Sequence, residues 1–271
     1  LNLRPCRRMS DEWTPLTRAL KDLLSKQELT HSRPLAVAVS GGADSMALLP
    51  AAWAVSPDVP VLHVARRLRP VSAEDRRFGE AAAADLGCRF LAHALDGIEG
   101  RAQSNGLGLE ATAREERYAW FAEVLGEGDV LLTGHHADDQ RETQLLHLIR
   151  GARPDAWRGM DAWTTERGFA VGRPFLGLPR KSLVDALEQA GVAWREDPSN
   201  ADPRHLRNRI RHELVPVLDR LRPGWDARLA RAGGLAQEWR VATLDLLDGH
   251  PPGALPFSAL DAAPSPRHMV S

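Results

Sequence analysis

Leu35-Ala36-Val37-Ala38-Val39-Ser40-Gly41-Gly42-Ala43-Asp44-Ser45-Met46-Ala47-Leu48-Leu49 decides how the rest of the chain is read. Leu35 to Val39 is an apolar run suited to a buried parallel strand. Two glycines follow, which let the backbone turn sharply and approach a ligand with no Cβ in the way. A helix starting near Asp44 would aim its unpaired N–H groups at that turn, where an anion is favoured. Ser40 and Ser45 add hydroxyl donors, and Asp44 offers a carboxylate for a magnesium ion among phosphate oxygens. A tight turn with capping serines would explain any one of these residues but not the whole string.

The string is neither the G-x-x-x-x-G-K-S/T loop of kinases and GTPases nor the G-x-G-x-x-G dinucleotide fingerprint. Ser-Gly-Gly-x-Asp-Ser after a strand resembles the loop of the N-type ATP pyrophosphatases, which split ATP to AMP and pyrophosphate while adenylating an acceptor oxygen.

Further strands are expected near Val59–Val64, Arg89–Ala92 and Asp129–Thr133, alternating with helices in the manner of a parallel sheet with crossovers. One helix is expected from Ser72 to Leu86, opening on the capping-box-like Ser72-Ala73-Glu74-Asp75 and closing at Gly87. Another runs from about Leu109 to Leu125 and stops at Gly126. Gly97 to Gly108 is glycine-rich and polar, and reads as an active-site loop or flap.

A second chemical cluster, Thr133-Gly134-His135-His136-Ala137-Asp138-Asp139-Gln140-Arg141-Glu142-Thr143, also follows an apolar strand. Carboxyl ends of parallel strands surround the ligand crevice in open α/β sheets, so this cluster belongs beside the Gly-Gly loop. Asp139 and Glu142 are three apart and share a helical face, with Leu145, Leu146 and Ile149 as the buried stripe. Two such carboxylates can bind an ammonium group, hold magnesium or accept a proton from an amine, and spacing alone does not choose. Zinc on His135 and Asp139 competes, without the support of H-E-x-x-H. An acidic helix start accounts for Asp138 and Asp139 but not for the two histidines.

The third cluster runs from Arg195-Glu196-Asp197-Pro198-Ser199-Asn200 into the basic helix Arg204-His205-Leu206-Arg207-Asn208-Arg209-Ile210-Arg211-His212. Leu206, Ile210 and Leu214 form its core stripe, while Arg204, Arg207, Asn208 and Arg211 share a neighbouring face that suits phosphates or plain solvent. Asn208 is a poor interior helix former and needs a reason to be there.

With a formal net charge of −1, any nucleic-acid binding must come from local patches. Lysine occurs only at Lys21, Lys26 and Lys181, so arginine carries nearly all positive charge; GC-rich codon usage explains that, and guanidinium forks also suit phosphate. The chain is 43% hydrophobic with no run approaching a bilayer span and no signal-peptide core, which points to a cytoplasmic protein. Met9 reads as the natural start. Cys6 and Cys88 form no disulfide framework or C-x-x-C pair, and Cys88 is expected to pack on a strand.

Taken in order, the three clusters resemble the tRNA(Ile)-lysidine synthetase family. The likeness extends from about Leu35 to Leu218 and includes Leu68-Arg69-Pro70, Leu109-Glu110-Ala111-Thr112-Ala113-Arg114-Glu115-Glu116-Arg117-Tyr118 and Arg173-Pro174-Phe175-Leu176, besides the clusters themselves. It implies an α/β, Rossmann-like PP-loop ATPase fold of the adenine nucleotide alpha hydrolase type with a small helical carboxyl-terminal extension. The expected division is a lead-in over 1–33, the catalytic domain over 34–222, and a helical extension with a loose tail over 223–271.

The implied reaction uses ATP and Mg2+ to adenylate the C2 oxygen of the wobble cytidine in tRNA(Ile), after which the ε-amine of free L-lysine displaces AMP. The resemblance places ATP on Ser40, Gly41, Gly42, Ala43, Asp44 and Ser45, and makes Asp44, Arg114, Asp139 and Glu142 catalytic. Arg114 would contact phosphate, and Asp139 and Glu142 the lysine amine. His135, Asn208 and Arg211 would bind substrate. The alternatives are a sulfur-transferring PP-loop enzyme of tRNA and a nucleotide-binding pseudoenzyme; the oligomeric state stays open. Two features depart from the family. Ala65-Arg66-Arg67-Leu68-Arg69 stands where Asp-His-Gly-Leu-Arg is usual. Past Pro223 only a helical segment around Trp225–Leu247 and a proline-rich tail remain, so the tRNA-binding domains of many members are expected to be shortened or missing.

Overall fold

The computed structural model describes residues 13–27, 33–65, 70–106, 108–152, 154–196 and 206–248. The chain divides into two compact units, Leu1–Gln140 with Asp161–Asp202, and Arg141–Met160 with Pro203–Ser271.

The first unit is built on a six-stranded sheet of β1 (Leu35–Ala38), β2 (Val61–Ala65), β3 (Phe90–Ala94), β4 (Val130–Leu132), β5 (Trp163–Glu166) and β6 (Phe169–Gly172). Its spatial order is β3-β2-β1-β4-β6-β5, parallel throughout except for β5 against β6. Chain order therefore reverses between β1 and β4. Ligands of open α/β sheets bind outside the strand ends at such a point.

Alternation along each strand explains the two-sided burial. Val37, Val39, Val130 and Leu132 enter one core with α1 (Thr14–Lys26), α2 (Ala43–Val55) and α7 (Arg180–Gln189), while Ala36, Leu62 and Leu131 face Tyr118 and Phe121 of α5 (Leu109–Val124). α2 carries buried residues on every side, from Ala43 to Ala52, as a helix enclosed by neighbours must.

All four expected strands are present. The β5–β6 hairpin was not foreseen; its tight turn is made by Arg167 (φ 48°) and Gly168 (φ 92°), a left-handed pair of the kind that suits two-residue hairpins. The expected loop at Gly97–Gly108 is instead mostly the helix α4 (Ile98–Asn105). Ile98 packs in a small core with Leu95 and Ala113, and Ala102 one turn on is buried as well, so a narrow apolar stripe was hidden in polar composition. α3 (Pro70–Leu86) starts two residues before the expected Ser72, because proline's fixed φ suits the first helical position. Cys88 is buried in the turn before β3 rather than on the strand.

The second unit holds most of α6 (Ala137–Ile149), a short 3-10 turn at Pro154–Arg158, α8 (Leu206–Arg209), α9 (Val215–Leu221) and α10 (Trp225–Asp248). Its core is Leu145, Ile210, Val215 and Trp225, with Leu206 and Leu214 packed against them as expected. Ile149 departs from the expected stripe and is exposed. Between α8 and α9, Ile210–Leu214 widen into a π-helical turn closed by the Val215 N–H on the Ile210 carbonyl. That five-residue step brings Ile210 and Val215 into the same core.

Candidate active site

The turn after β1 is stitched together by its own polar groups. Gly41 adopts φ 92°, which a side chain would strain, and Gly42 begins α2 in extended conformation. The Ser45 hydroxyl accepts the Ser40 N–H at 3.1 Å and donates to the Gly42 carbonyl at 3.0 Å. The Gly42 N–H reaches the Ser40 hydroxyl at 3.4 Å, and the Arg195 N–H holds the Gly41 carbonyl at 2.9 Å. Arg195 also reaches α3, bonding Glu74 at 2.9 Å and pairing with Asp75 at 2.5 Å.

Asp44 lies in the first turn of α2, its Oδ1 3.5 Å from His136 Nε2 and 3.4 Å from Arg180 Nε. The segment after β4 reaches it because Gly134 has no side chain: a Cβ there would lie 2.7 Å from the Asp44 carbonyl oxygen and 3.1 Å from the Ser45 nitrogen.

His136 and Asp139 close the start of α6 reciprocally. The His136 N–H donates to Asp139 Oδ2 at 3.2 Å, and the Asp139 N–H donates to His136 Nδ1 at 3.3 Å, an arrangement like a capping box. Nε2 then carries the imidazole proton, 3.3 Å from Asp139 Oδ2. Burial pulls the pKa of His136 down, but the bond to Asp44 and the charges of Asp139, Asp44 and Asp138 outweigh it and hold the group above the usual histidine value. Asp138 has a structural task, accepting the Arg180 N–H at 2.7 Å at the start of α7. His135 Nδ1 lies 2.9 Å from the Thr133 hydroxyl.

Arg114 sits on α5, its guanidinium 4.4 Å from the Tyr118 ring centroid and 3.6 Å from Glu166. Near it Arg173 is buried, donating to the Asp161 carbonyl at 2.8 Å and the Thr164 hydroxyl at 3.2 Å, and burial lowers its pKa.

The second unit contains a separate cluster. Glu142 is only 2% exposed, and Arg211 grips it through Nε at 2.7 Å and Nη2 at 3.0 Å while Arg207 Nε binds the same carboxylate at 3.0 Å. Asn208 is buried on the same helical segment.

The first unit thus gathers Ser40, Gly41, Gly42, Ala43, Asp44 and Ser45 with His135 and Asp139. Glu142, Asn208 and Arg211 belong to the second. Arg66, Arg67, Arg69 and Arg204 lie outside the described residues. His136 and Arg180 as partners of Asp44, and Arg195 as a clamp on the loop, were not foreseen. The doubled histidine and the place of Arg195 at the head of the third cluster were the sequence signals for them.

A family model for the PP-loop domain matches residues 13–218. The chain belongs to the PP-loop family. Among curated PP-loop relatives, a tRNA(Ile)-lysidine synthase of Alkalilimnicola ehrlichii is 41% identical over 228 residues, covering 80% of this chain and 50% of that protein. One from Geobacter sulfurreducens is 42% identical over 206 residues, covering 73% of this chain and 43% of that protein. The chain spans about half the length of these relatives. A solved U34-tRNA thiolase from Methanococcus maripaludis, bearing a [4Fe-4S] cluster, matches with a TM-score of 0.63 at 13% identity, covering 84% of this chain and 80% of that one. That likeness concerns the fold alone. Among the described residues no helix is long and apolar enough to cross a membrane.

Proposed function

We propose that this PP-loop chain ligates L-lysine to C2 of the wobble cytidine of tRNA(Ile), consuming ATP and releasing AMP and pyrophosphate. The observation that carries the proposal is the meeting, at the β1/β4 switch point, of the Gly-Gly loop, Asp44 and the His136–Asp139 pair. The likeness to lysidine synthases over most of the chain supports the same reading.

The cytidine C2 oxygen attacks the α-phosphate of ATP and pyrophosphate leaves; the lysine amine then attacks C2 and AMP leaves. A carbonyl oxygen is a poor leaving group until adenylated, so ATP divides one difficult exchange into two displacements. The N–H groups of the first turn of α2 would stabilise the charge that builds on the departing pyrophosphate. Arg114 serves phosphate contact as a half-exposed cation steered by Glu166.

Asp44 is the residue that would hold a magnesium ion here together with the phosphates, because among the described residues no group of three or more His, Cys, Asp or Glu side chains could hold a metal ion by itself. When bound, it would neutralise charge on the phosphates.

Lysine titrates near 10.4 in water and must shed a proton to become a nucleophile. Asp139, held in place by His136, is the assigned acceptor. Glu142 shared this role on the sequence. Its grip on Arg207 and Arg211 supports another task, fixing two cations of the second unit in place.

The testing experiment supplies ATP and a cytidine-anticodon tRNA without lysine and measures pyrophosphate release together with adenylated tRNA. Asp44→Ala and Ser45→Ala are each expected to slow release by about 10²–10³, the scale of losing one preorganised contact at a charged transition state. Undiminished release, with folding shown intact by circular dichroism, would overturn the assignment of the loop.

A further inference from the structure

His63 stands in the middle of β2 and is 2% exposed. Its Nδ1 lies 2.8 Å from the carbonyl oxygen of Val39, the residue just ahead of Ser40. A carbonyl only accepts, so Nδ1 carries the proton and neutral Nε2 is a lone pair. Nε2 is buried and has no hydrogen-bond partner among the described residues. Phe90 stacks on the ring at 5.9 Å, and α3 closes over it at Gly79, where a Cβ would lie 3.8 Å from Nδ1. Asp75 and Arg76 of α3 are the charges that act on it, and burial lowers its pKa, which keeps it neutral.

The backbone shows what this bond does. Register pairs Ala38 with Leu62, and the Val39 N–H still reaches the Leu62 carbonyl at 2.9 Å. The Val39 carbonyl is taken by an imidazole where the ladder ends. In a trans peptide the carbonyl and the next N–H point oppositely across one rigid plane. The Val39–Ser40 plane is therefore held at both edges, by His63 on the carbonyl and by the Ser45 hydroxyl on the Ser40 N–H. Two residues on, the Gly41–Gly42 plane is held in the same way by the Arg195 N–H and the Ser40 hydroxyl.

We propose that His63 is a positioning residue for the Ser40–Ser45 loop, its Nδ1–H fixing the Val39–Ser40 plane from behind so that the amides after it face the phosphates of ATP. This rests on the reading of that loop as the phosphate site. The working atom is Nδ1, and Nε2 is a bystander packed on Phe90.

Asparagine places a side-chain N–H near the position of Nδ1, glutamine near that of Nε2, and leucine nowhere. The full chain is prepared as His63→Asn, His63→Gln and His63→Leu, and read two ways: amide hydrogen exchange over residues 40–46 without ligand, and ATP affinity by calorimetry. Exchange in the Gln and Leu proteins should quicken several-fold, and ATP affinity should fall roughly two- to tenfold, the worth of one net hydrogen bond. The Asn protein should stay within about twofold of the parent in both. Preservation by Gln but not by Asn would make Nε2 the working atom and overturn the proposal, as would unchanged exchange in all three. If Leu fails to fold, the Asn and Gln pair still decides. If exchange follows the expected order but the parent binds no ATP, the phosphate reading fails and the strut stands.

Discussion

Gly134→Ala tests whether the loop after β4 must touch the start of α2. The new Cβ would lie 2.7 Å from the Asp44 carbonyl oxygen, 2.8 Å from its carbon and 3.1 Å from the Ser45 nitrogen, all backbone atoms of a buried helix. Comfortable contact needs about 3.5 Å, so the two segments must part by roughly 0.5–0.8 Å. Overpacking of this kind costs about 1–3 kcal/mol, and the stiffer unfolded chain returns about 0.4–1 kcal/mol. A net loss of about 1–2 kcal/mol is expected. Gly100→Ala supplies the contrast, since it sits inside α4 with nothing within 4 Å of the added Cβ. It should gain about 0.5–1 kcal/mol from helix propensity. The two variants should therefore move urea midpoints in opposite directions at unchanged m. Because parting the segments also draws His136 away from Asp44, ATP-dependent pyrophosphate release by Gly134→Ala should fall by about 10- to 100-fold. Parent-like midpoint and turnover in Gly134→Ala would show that the close approach does not hold the site together.

Asp139→Asn should raise the lysine requirement and let adenylated tRNA accumulate, whereas Glu142→Gln should weaken tRNA binding and lower the stability of the second unit by about 3 kcal/mol, the lower end for breaking a buried ion pair whose partners keep some solvent. Swapped phenotypes, read from lysine titrations and denaturation, would reverse the two assignments. For His136 the folded pKa is raised, so its stabilisation is complete below the unfolded value of about 6.5 and fades as pH climbs through the folded one. The stability gap between parent and His136→Gln should thus shrink with rising pH in urea titrations, and a widening gap would contradict the charge environment described for it.

The parallel strands and the Gly-Gly loop were legible because short apolar runs ending in glycine and hydroxyl residues have few other structural meanings. Strand β5 was not, since Trp163-Thr164-Thr165-Glu166 is half exposed and its pairing depends on the turn at Arg167-Gly168. Helix α4 hid for a different reason: one apolar side chain, Ile98, suffices where a preformed patch at Leu95 and Ala113 receives it. At the site, the sequence placed Asp44 and Asp139 near one another and marked the two histidines, but not which of them would lie between the carboxylates, because a buried histidine and a solvent-facing one look alike in sequence. Glu142 and Asp139 share a helical face, yet one is bound by the distant Arg207 and Arg211 and the other by His136, three residues before it. Spacing along a helix fixes direction and leaves the partner unspecified.

Incorporation of labelled lysine into a cytidine-anticodon isoleucine tRNA tests the central claim most directly. The account predicts label at the wobble nucleoside that requires ATP and appears with one AMP and one pyrophosphate for each lysine. Absence of label from tRNA, in a preparation that binds ATP and tRNA, would contradict it.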